Sequence, residues 1–204
     1  MKKIFLFLSI LTVSFPIFLY GFENMEINAK EEIRIDTRKD EDSSFGQEVK
    51  ILIPYSINDT EMSVKLGPYV HNRIYYERDN DSYTEIGGEL KLCFGNYAYV
   101  GQRVFYLLTN LTDSYSMDED ATLTTTLLGV NIPVFKIFER HVNIDLFEEY
   151  YFEFDRGEGT RNAIGCNLNV PIFDMVVLSV GWLHIDRIHS YDSDQFTSTV
   201  ALKF

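Results

Sequence analysis

The sequence predicts an all-β fold whose antiparallel strands form an up-and-down barrel across a membrane. Two patterns in the 204 residues support this prediction. Apolar and polar residues alternate with period two in runs of about ten residues, and turn-forming residues separate the runs. Aromatic residues gather near the predicted strand ends, as at Tyr75, Tyr76 and Tyr83, where a membrane barrel carries its interfacial girdles.

The first residues predict export. Lys2 and Lys3 give a positive start, and an uncharged, largely apolar run follows from Ile4 to Tyr20. This run is shorter than the roughly 20 apolar residues that span a bilayer as a helix. We therefore expect residues 1–21 to be a cleaved secretory signal peptide and residues 22–204 to be one barrel domain.

The chain is strongly acidic, which limits the classes of partner that it can bind. It has 18 Lys and Arg against 31 Asp and Glu, a net charge of −13. Such a protein is repelled by nucleic acid, so we expect no nucleic-acid partner.

Neither the cysteines nor the acidic runs predict a disulfide, a metal or a cofactor. Cys93 and Cys166 fall on opposite faces of their predicted strands, so pairing through the sheet is not expected. The acidic runs 79–81 and 118–120 lack the full spacing of a calcium loop. We therefore expect no metal and no cofactor.

Residues 62–77 form the clearest predicted strand. Apolar side chains occupy one face, with Asn72 as its only strongly polar member, and the other face is mostly polar. A helix would mix the two sets, whereas a strand separates them. The same alternation recurs in four later runs, at 85–94, 97–108, 142–154 and 163–170. Glu148 interrupts one of them, which predicts a bulge there.

The number of strands is expected to be ten, with eight as the open alternative. Nine strands are predicted from residue 48 onward, an odd number for a class that prefers even ones. Residues 25–36 supply a tenth, since Ile27, Ala29, Ile33 and Ile35 share a face with Glu31 as the misfit.

The strand length favours a membrane barrel over a soluble, lipocalin-like binding barrel. A soluble barrel would turn the apolar faces inward, and a membrane barrel turns them towards lipid. Soluble strands average about five or six residues. Runs of about ten residues, tilted by about 40°, span roughly 25 Å, the height of an outer-membrane apolar band.

The last nine residues carry a resemblance to a known class. Apolar side chains fall at Phe196, Val200, Leu202 and Phe204, and the sequence ends on the aromatic ring. This pattern resembles the terminal strand of bacterial outer-membrane β-barrel proteins, in which it serves as an assembly signal. For Phe204, Leu202 and Val200 the resemblance implies that role, with the barrel-assembly machinery and outer-membrane lipid as partners. It also implies a location in the bacterial outer membrane.

The same resemblance places the C-terminus in the periplasm, so the connections alternate between the two sides. Those near 57–61, 95–96, 133–138 and 171–174 are then periplasmic. Those near 78–82, 110–120, 155–160 and 188–194 are then extracellular, with the longest, 110–120, outside as expected.

The polar strand faces predict the lining of the lumen. The candidates are Lys65, His71, Arg73, Glu85, Glu89, Lys91, Arg103, Asp145, Glu149 and Glu153. Side chains just fill the interior of an eight-stranded barrel, where charges need partners, whereas ten strands allow a narrow, wet passage. Because the barrel is small, we expect a closed lumen. The protein would then have a structural or surface-interaction role through its extracellular loops, towards an unidentified partner or small solute. The alternative is a narrow, porin-like diffusion channel that prefers cations because acids dominate near Glu149 and Glu153.

An enzyme is a weaker hypothesis. His184, Asp186, His189 and Ser190 lie close together before the last strand. Strand alternation puts His184 and Asp186 on one face, but nothing positions the Ser190 hydroxyl against either. We therefore assign no catalytic residue and expect no enzymatic activity.

Overall fold

The computed structural model describes residues 25–37, 43–57, 60–76, 82–109, 121–137, 139–188 and 192–204. The described residues form ten strands: β1 (Glu26–Asp36), β2 (Ser44–Ser56), β3 (Met62–Tyr75), β4 (Ser82–Phe94), β5 (Ala98–Thr109), β6 (Ala121–Ile137), β7 (Arg140–Glu153), β8 (Glu158–Pro171), β9 (Val176–Arg187) and β10 (Ser193–Lys203). The predicted signal peptide, residues 1–21, lies outside the described residues.

The ten strands close into one antiparallel barrel. Each strand pairs with its neighbours in chain order, and β1 pairs with β10 from Asn28–Lys203 to Asp36–Gln195. The predicted ten-stranded up-and-down barrel is confirmed, and β1 is the strand that completes it. Closure leaves no free sheet edge.

The two ends of the barrel differ in their connections. One end, here called the turn end, holds the first and last strand termini and the short connections 57–61, 95–97, 138–139 and 172–175. The other, the loop end, holds the connections 37–43, 76–81, 110–120, 154–157 and 188–192. Most of the loop-end connections lie partly or wholly outside the described residues.

Strand pairing is irregular at two places, and neither is the predicted one. The register shifts between Pro133 and Phe135 on β6, and between Tyr151 and Phe152 on β7. The prediction of a bulge at Glu148 is wrong, because this residue pairs regularly with Ile164. Strand β6 also continues to Ile137, through most of the predicted turn at 133–138.

Glu148 departs from the apolar pattern without disturbing the backbone. Its side chain lies on the outward face and accepts a hydrogen bond from the side-chain amide of Asn162 on the next strand, at 3.0 Å. The neighbouring amide therefore satisfies the carboxylate locally, and the misfit needs no extra residue in the strand.

Cys93 and Cys166 are both free thiols. Cys93 lines the interior of the barrel, and Cys166 belongs to the outward-facing set of β8.

Among the described residues there is no helix long and apolar enough to cross a membrane.

Candidate functional site

The barrel has an apolar outer surface and a polar interior. Leu66, Leu90 and Val104 face outward and are about half exposed, whereas the inward-facing side chains of Arg73 and Glu89 are each 2% exposed. Soluble barrels have the opposite arrangement, because water favours polar groups on the outside. This polarity fits a barrel whose surroundings are lipid.

Arg73 ties four strands together inside the loop half of the lumen. Its guanidinium lies 2.7 Å from a carboxylate oxygen of Glu32 on β1. It also donates hydrogen bonds to the Ser44 hydroxyl on β2, at 2.9 Å, and to the Tyr83 hydroxyl on β4, at 3.2 Å. A buried charge is costly unless it is paired and hydrogen-bonded, and these contacts meet that requirement.

A second ionic network crosses the middle of the lumen. Glu89 on β4 accepts hydrogen bonds from Lys50 on β2, at 3.0 Å, and from Arg103 on β5, at 2.7 Å. Arg103 also lies 3.7 Å from Glu149 on β7 and 3.9 Å from Glu48 on β2. The network therefore joins strands that are not neighbours in the sheet, and it does so through the interior.

Aromatic rings fill the space beside these charges. Phe105 contacts Tyr69 at a ring-centroid distance of 6.1 Å and Tyr151 at 6.4 Å, both edge to face. Tyr69 and Leu123 are each 1% exposed. Such close packing narrows the lumen at this level. The name plug is used below for Tyr69, Arg73, Phe105, Leu123 and Tyr151.

A cavity of about 410 Å³ lies between the plug and the turn end, and it is called the vestibule below. At the turn end Glu26 keeps 40% of its side chain exposed and Lys203 is exposed. The vestibule wall contains eight basic side chains and seven acidic ones: Lys30, Arg34, Lys50, Lys65, Arg73, Lys91, Arg103 and Lys203, and Glu26, Glu32, Glu48, Glu85, Glu89, Asp145 and Glu149.

This charge balance differs from the acid-rich wall expected from the sequence. The expectation omitted Lys30 and Arg34, because β1 was not included in the predicted lining. The expectation also omitted Lys203, which lines the vestibule from the end of β10. It left out the acids Glu26, Glu32 and Glu48 as well, and the predicted Glu153 lies outside the wall, so the wall is nearly balanced in charge.

The structure brings most of the predicted lumen residues into one cavity. Nine of them line the vestibule: Lys65, His71, Arg73, Glu85, Glu89, Lys91, Arg103, Asp145 and Glu149. The tenth, Glu153, is fully buried at the loop end, with Arg156 3.3 Å away. Glu32 and Glu48 are partners that the prediction missed. The polar face of 25–36 pointed to Glu32, whereas no alternation marked the start of β2.

His184 and Asp194 form a pair on the outer surface. The imidazole Nδ1 lies 2.9 Å from a carboxylate oxygen of Asp194 on the adjacent strand, and the Trp182 ring stacks on the imidazole. Asp186 faces outward two residues further along. His189 and Ser190 lie outside the described residues. In the part of the chain that the structure describes, no hydrogen bond joins His184 to a serine or threonine hydroxyl.

Metal binding finds no support in the part of the chain that the structure describes. No group of three or more His, Cys, Asp or Glu residues there could hold a metal ion. The acidic runs 79–81 and 118–120 lie outside the described residues.

A closed ten-stranded antiparallel barrel with an apolar exterior and an ionic interior defines the class of small outer-membrane β-barrels. No family model and no curated protein matches the chain. Among solved structures, the KdgM porin in complex with disordered oligogalacturonate is 10% identical, with a TM-score of 0.46 over 88% of this chain and 99% of that one.

Two further solved structures are similar to the same degree. The β domain of the Bordetella autotransporter BrkA is 10% identical, with a TM-score of 0.47 over 89% of this chain and 99% of that one. The NanC porin is 9% identical, with a TM-score of 0.45 over 88% of this chain and 100% of that one. Identities and TM-scores this low do not transfer function between chains.

Proposed function

We propose that this protein is a closed barrel of the bacterial outer membrane that anchors and presents its loop-end connections at the cell surface. The observation that carries the proposal is the plug. Tyr69 and Leu123 are 1% exposed and Arg73 is 2% exposed, so these side chains pack tightly in the loop half of the lumen.

The connections support the orientation. Outer-membrane barrels have short periplasmic turns and longer extracellular loops. The turn end, which also holds residues 26 and 203, would therefore face the periplasm, and the loop end would face outward. Lipid would surround the strands, and the barrel-assembly machinery would insert them, with Phe204, Leu202 and Val200 as the assembly signal.

A narrow diffusion channel is the second candidate, and the vestibule supports it. The cavity of about 410 Å³ would supply most of a path from the turn end. Conduction would require the plug to move, and its ion pairs and aromatic contacts oppose such movement.

We do not propose catalysis. The only acid–base pair of interest on the outer surface of the described residues is His184 with Asp194. Its two side chains hydrogen-bond each other next to Trp182, a combination that suits a membrane interface.

Two measurements test the proposal. In planar bilayers the folded, detergent-purified protein should give no current steps, whereas discrete and reproducible steps from the wild type would establish the channel instead. On intact cells, an epitope inserted in the connection 110–120 should be accessible to antibody, and one inserted in the turn 172–175 should not. The reverse result would overturn the orientation.

A further inference from the structure

We propose that the turn-end mouth of the vestibule binds a small anion that carries carboxylate or phosphate groups. The site includes Lys91 and Lys203, which both line the vestibule, with Tyr99 and Lys65 beside Lys91. It lies on the periplasmic side of the plug, so it would bind solute without passing it to the cell exterior.

The wall of the vestibule is far less acidic than the chain as a whole. The whole sequence carries a net charge of −13, yet the vestibule wall has eight bases against seven acids. A cavity lined by an excess of one sign concentrates ions of the other sign, and its low-dielectric walls focus the field. The vestibule is therefore a part of the described protein in which the net acidity of the chain does not oppose the entry of an anion.

Two lysines at the mouth interact with acidic groups only over longer distances, Lys91 with Glu89 and both Lys91 and Lys203 with Asp145. Lys65 lies 2.7 Å from Glu26, which neutralises it. Among the described residues, no carboxylate lies within ion-pair distance of Lys91 or Lys203. The Lys91 ammonium sits 3.4 Å from the centroid of the Tyr99 ring, a cation–π contact that satisfies it only weakly.

Strand pairing places a second ammonium group beside Lys91. Lys65 and Lys91 are direct cross-strand partners on β3 and β4. Glu26 offsets the charge of Lys65, so Lys91 is the member of this pair that has no carboxylate within ion-pair distance.

Asp145 is the acidic group that opposes binding. It lines the vestibule, and one of its carboxylate oxygens is buried without a hydrogen-bond partner. Its charge reduces the attraction of the mouth for anions, so its removal should strengthen binding. Removal of Asp145 and removal of the lysines should therefore change the affinity for the anion in opposite directions.

Titration of the folded protein in zwitterionic micelles tests the proposal. Inorganic phosphate and succinate are the probes, the uncharged diamide of succinate is the control compound, and the amide resonances of Lys91, Tyr99 and Lys203 are followed by NMR. We expect saturable shifts with one or both anions and none with the diamide. Whichever anion binds more tightly assigns the site to phosphates or to carboxylates.

Variants locate the binding. Lys91→Met with Lys203→Met should weaken binding by roughly fivefold, as expected for two partly exposed charges. Asp145→Asn should strengthen it by roughly threefold on the same scale. Lys136→Met removes an exposed lysine of β6 that is not part of the vestibule wall, and it should leave binding unchanged.

Several results would overturn the proposal: no saturable shift at millimolar probe, equal binding by the double variant, or equal weakening by Lys136→Met. If the double variant does not fold, Lys203→Met alone and Asp145→Asn still decide between these outcomes. The result is independent of conductance, because a closed barrel and an open one can both bind an anion at this mouth.

Discussion

Arg73 and Glu32 form an ion pair inside the barrel, 2.7 Å apart, although they are 41 residues apart in the sequence and lie on strands β3 and β1. Strand β2 lies between those strands in the sheet, so the pair reaches past it through the lumen. Such a contact fixes the position of both strands more firmly than an exposed pair, because each charge has given up its water.

Removal of one partner should therefore be costly. Arg73→Met is expected to destabilise the folded barrel by about 3 kcal/mol, the lower end of the range for a broken buried pair, because Lys30 and Arg34 still contact Glu32. Urea unfolding in lipid vesicles, followed by gel mobility, measures the change.

The matched control is Arg140→Met, which removes a partly exposed pair with Asp174 at the turn end. We expect a loss below about 1 kcal/mol there. The double variant Arg73→Met, Glu32→Met should lose less than the sum of the two single losses, since both substitutions break the same ion pair. Equal losses at Arg73 and Arg140 would contradict the buried role of Arg73.

Removal of the plug should open the lumen. The double variant Tyr69→Ala, Phe105→Ala deletes two rings that pack edge to face, with their centroids 6.1 Å apart. We expect this variant to give discrete current steps in planar bilayers. Tyr106→Ala is the control, because this neighbour of Phe105 faces outward and is 43% exposed. It should stay silent. If the plug variant is folded, inserted and silent, the rings are not what closes the barrel.

Two adjacent glycines test how closely strands β4 and β5 approach beside the plug. Gly87 pairs with both Tyr69 and Phe105, and a Cβ there would lie 2.2 Å from the backbone oxygen of Val104 and 2.6 Å from the Cβ of Phe105. A Cβ on Gly88 would meet only a backbone oxygen, at 3.8 Å. Gly87→Val should cost about 1–3 kcal/mol through overpacking, whereas Gly88→Val should cost much less. Thermal gel-shift midpoints compare the two, and similar midpoints would show that the backbone of β5 can shift away from Gly87.

The local pattern of the sequence predicted which side chains face the lumen better than it predicted their partners. Alternation along β3 and β4 places Lys65, Arg73 and Glu89 correctly on the inner wall, because strand period depends only on neighbouring residues. The partner of Arg73 depends on the stagger of strands around the closed barrel, and no local pattern records that stagger.

The start of β2 and the bulge at Glu148 were both predicted wrongly, because both depend on contacts with other strands. The prediction started β2 at residue 48, since residues 44–47 do not alternate clearly, and so missed Ser44 as a partner of Arg73. The bulge predicted at Glu148 assumed that a carboxylate cannot face outward. Its hydrogen bond to Asn162, on the next strand, makes that position tolerable, and only the strand register reveals this neighbour.

A charged residue on the outer surface should destabilise the barrel more at the middle of the bilayer than near its edge. Leu90 lies in the middle of β4 and is 51% exposed, whereas Tyr55 lies at the turn end of β2 and is 56% exposed. In lipid, arginine costs about 2–4 kcal/mol at the bilayer midplane and about 0–1 near the interface. Leu90→Arg should thus destabilise the barrel far more than Tyr55→Arg in vesicles. Equal small effects would indicate that lipid does not surround β4.

Phe204 helps to close the barrel through its backbone, and its ring belongs to the predicted assembly signal. Its backbone exchanges two hydrogen bonds with Ile27 on β1, at 3.1 and 2.9 Å, and its ring is 43% exposed. Phe204→Ala keeps both backbone bonds and removes only the ring, so it should leave stability in vitro within about 1 kcal/mol and still reduce the folded protein found in membranes. Quantitative heat-modifiability of membrane fractions measures the latter.

Phe196→Ala is the control for the ring, since this residue faces outward on the same strand and is 61% exposed. It removes an equal apolar area away from the C-terminus. If both variants reach the membrane equally well, the terminal ring is no assembly signal, and Phe204 acts only through its backbone. If Phe204→Ala alone accumulates unfolded, the ring is recognised before the barrel closes, because the closing hydrogen bonds with Ile27 do not involve it.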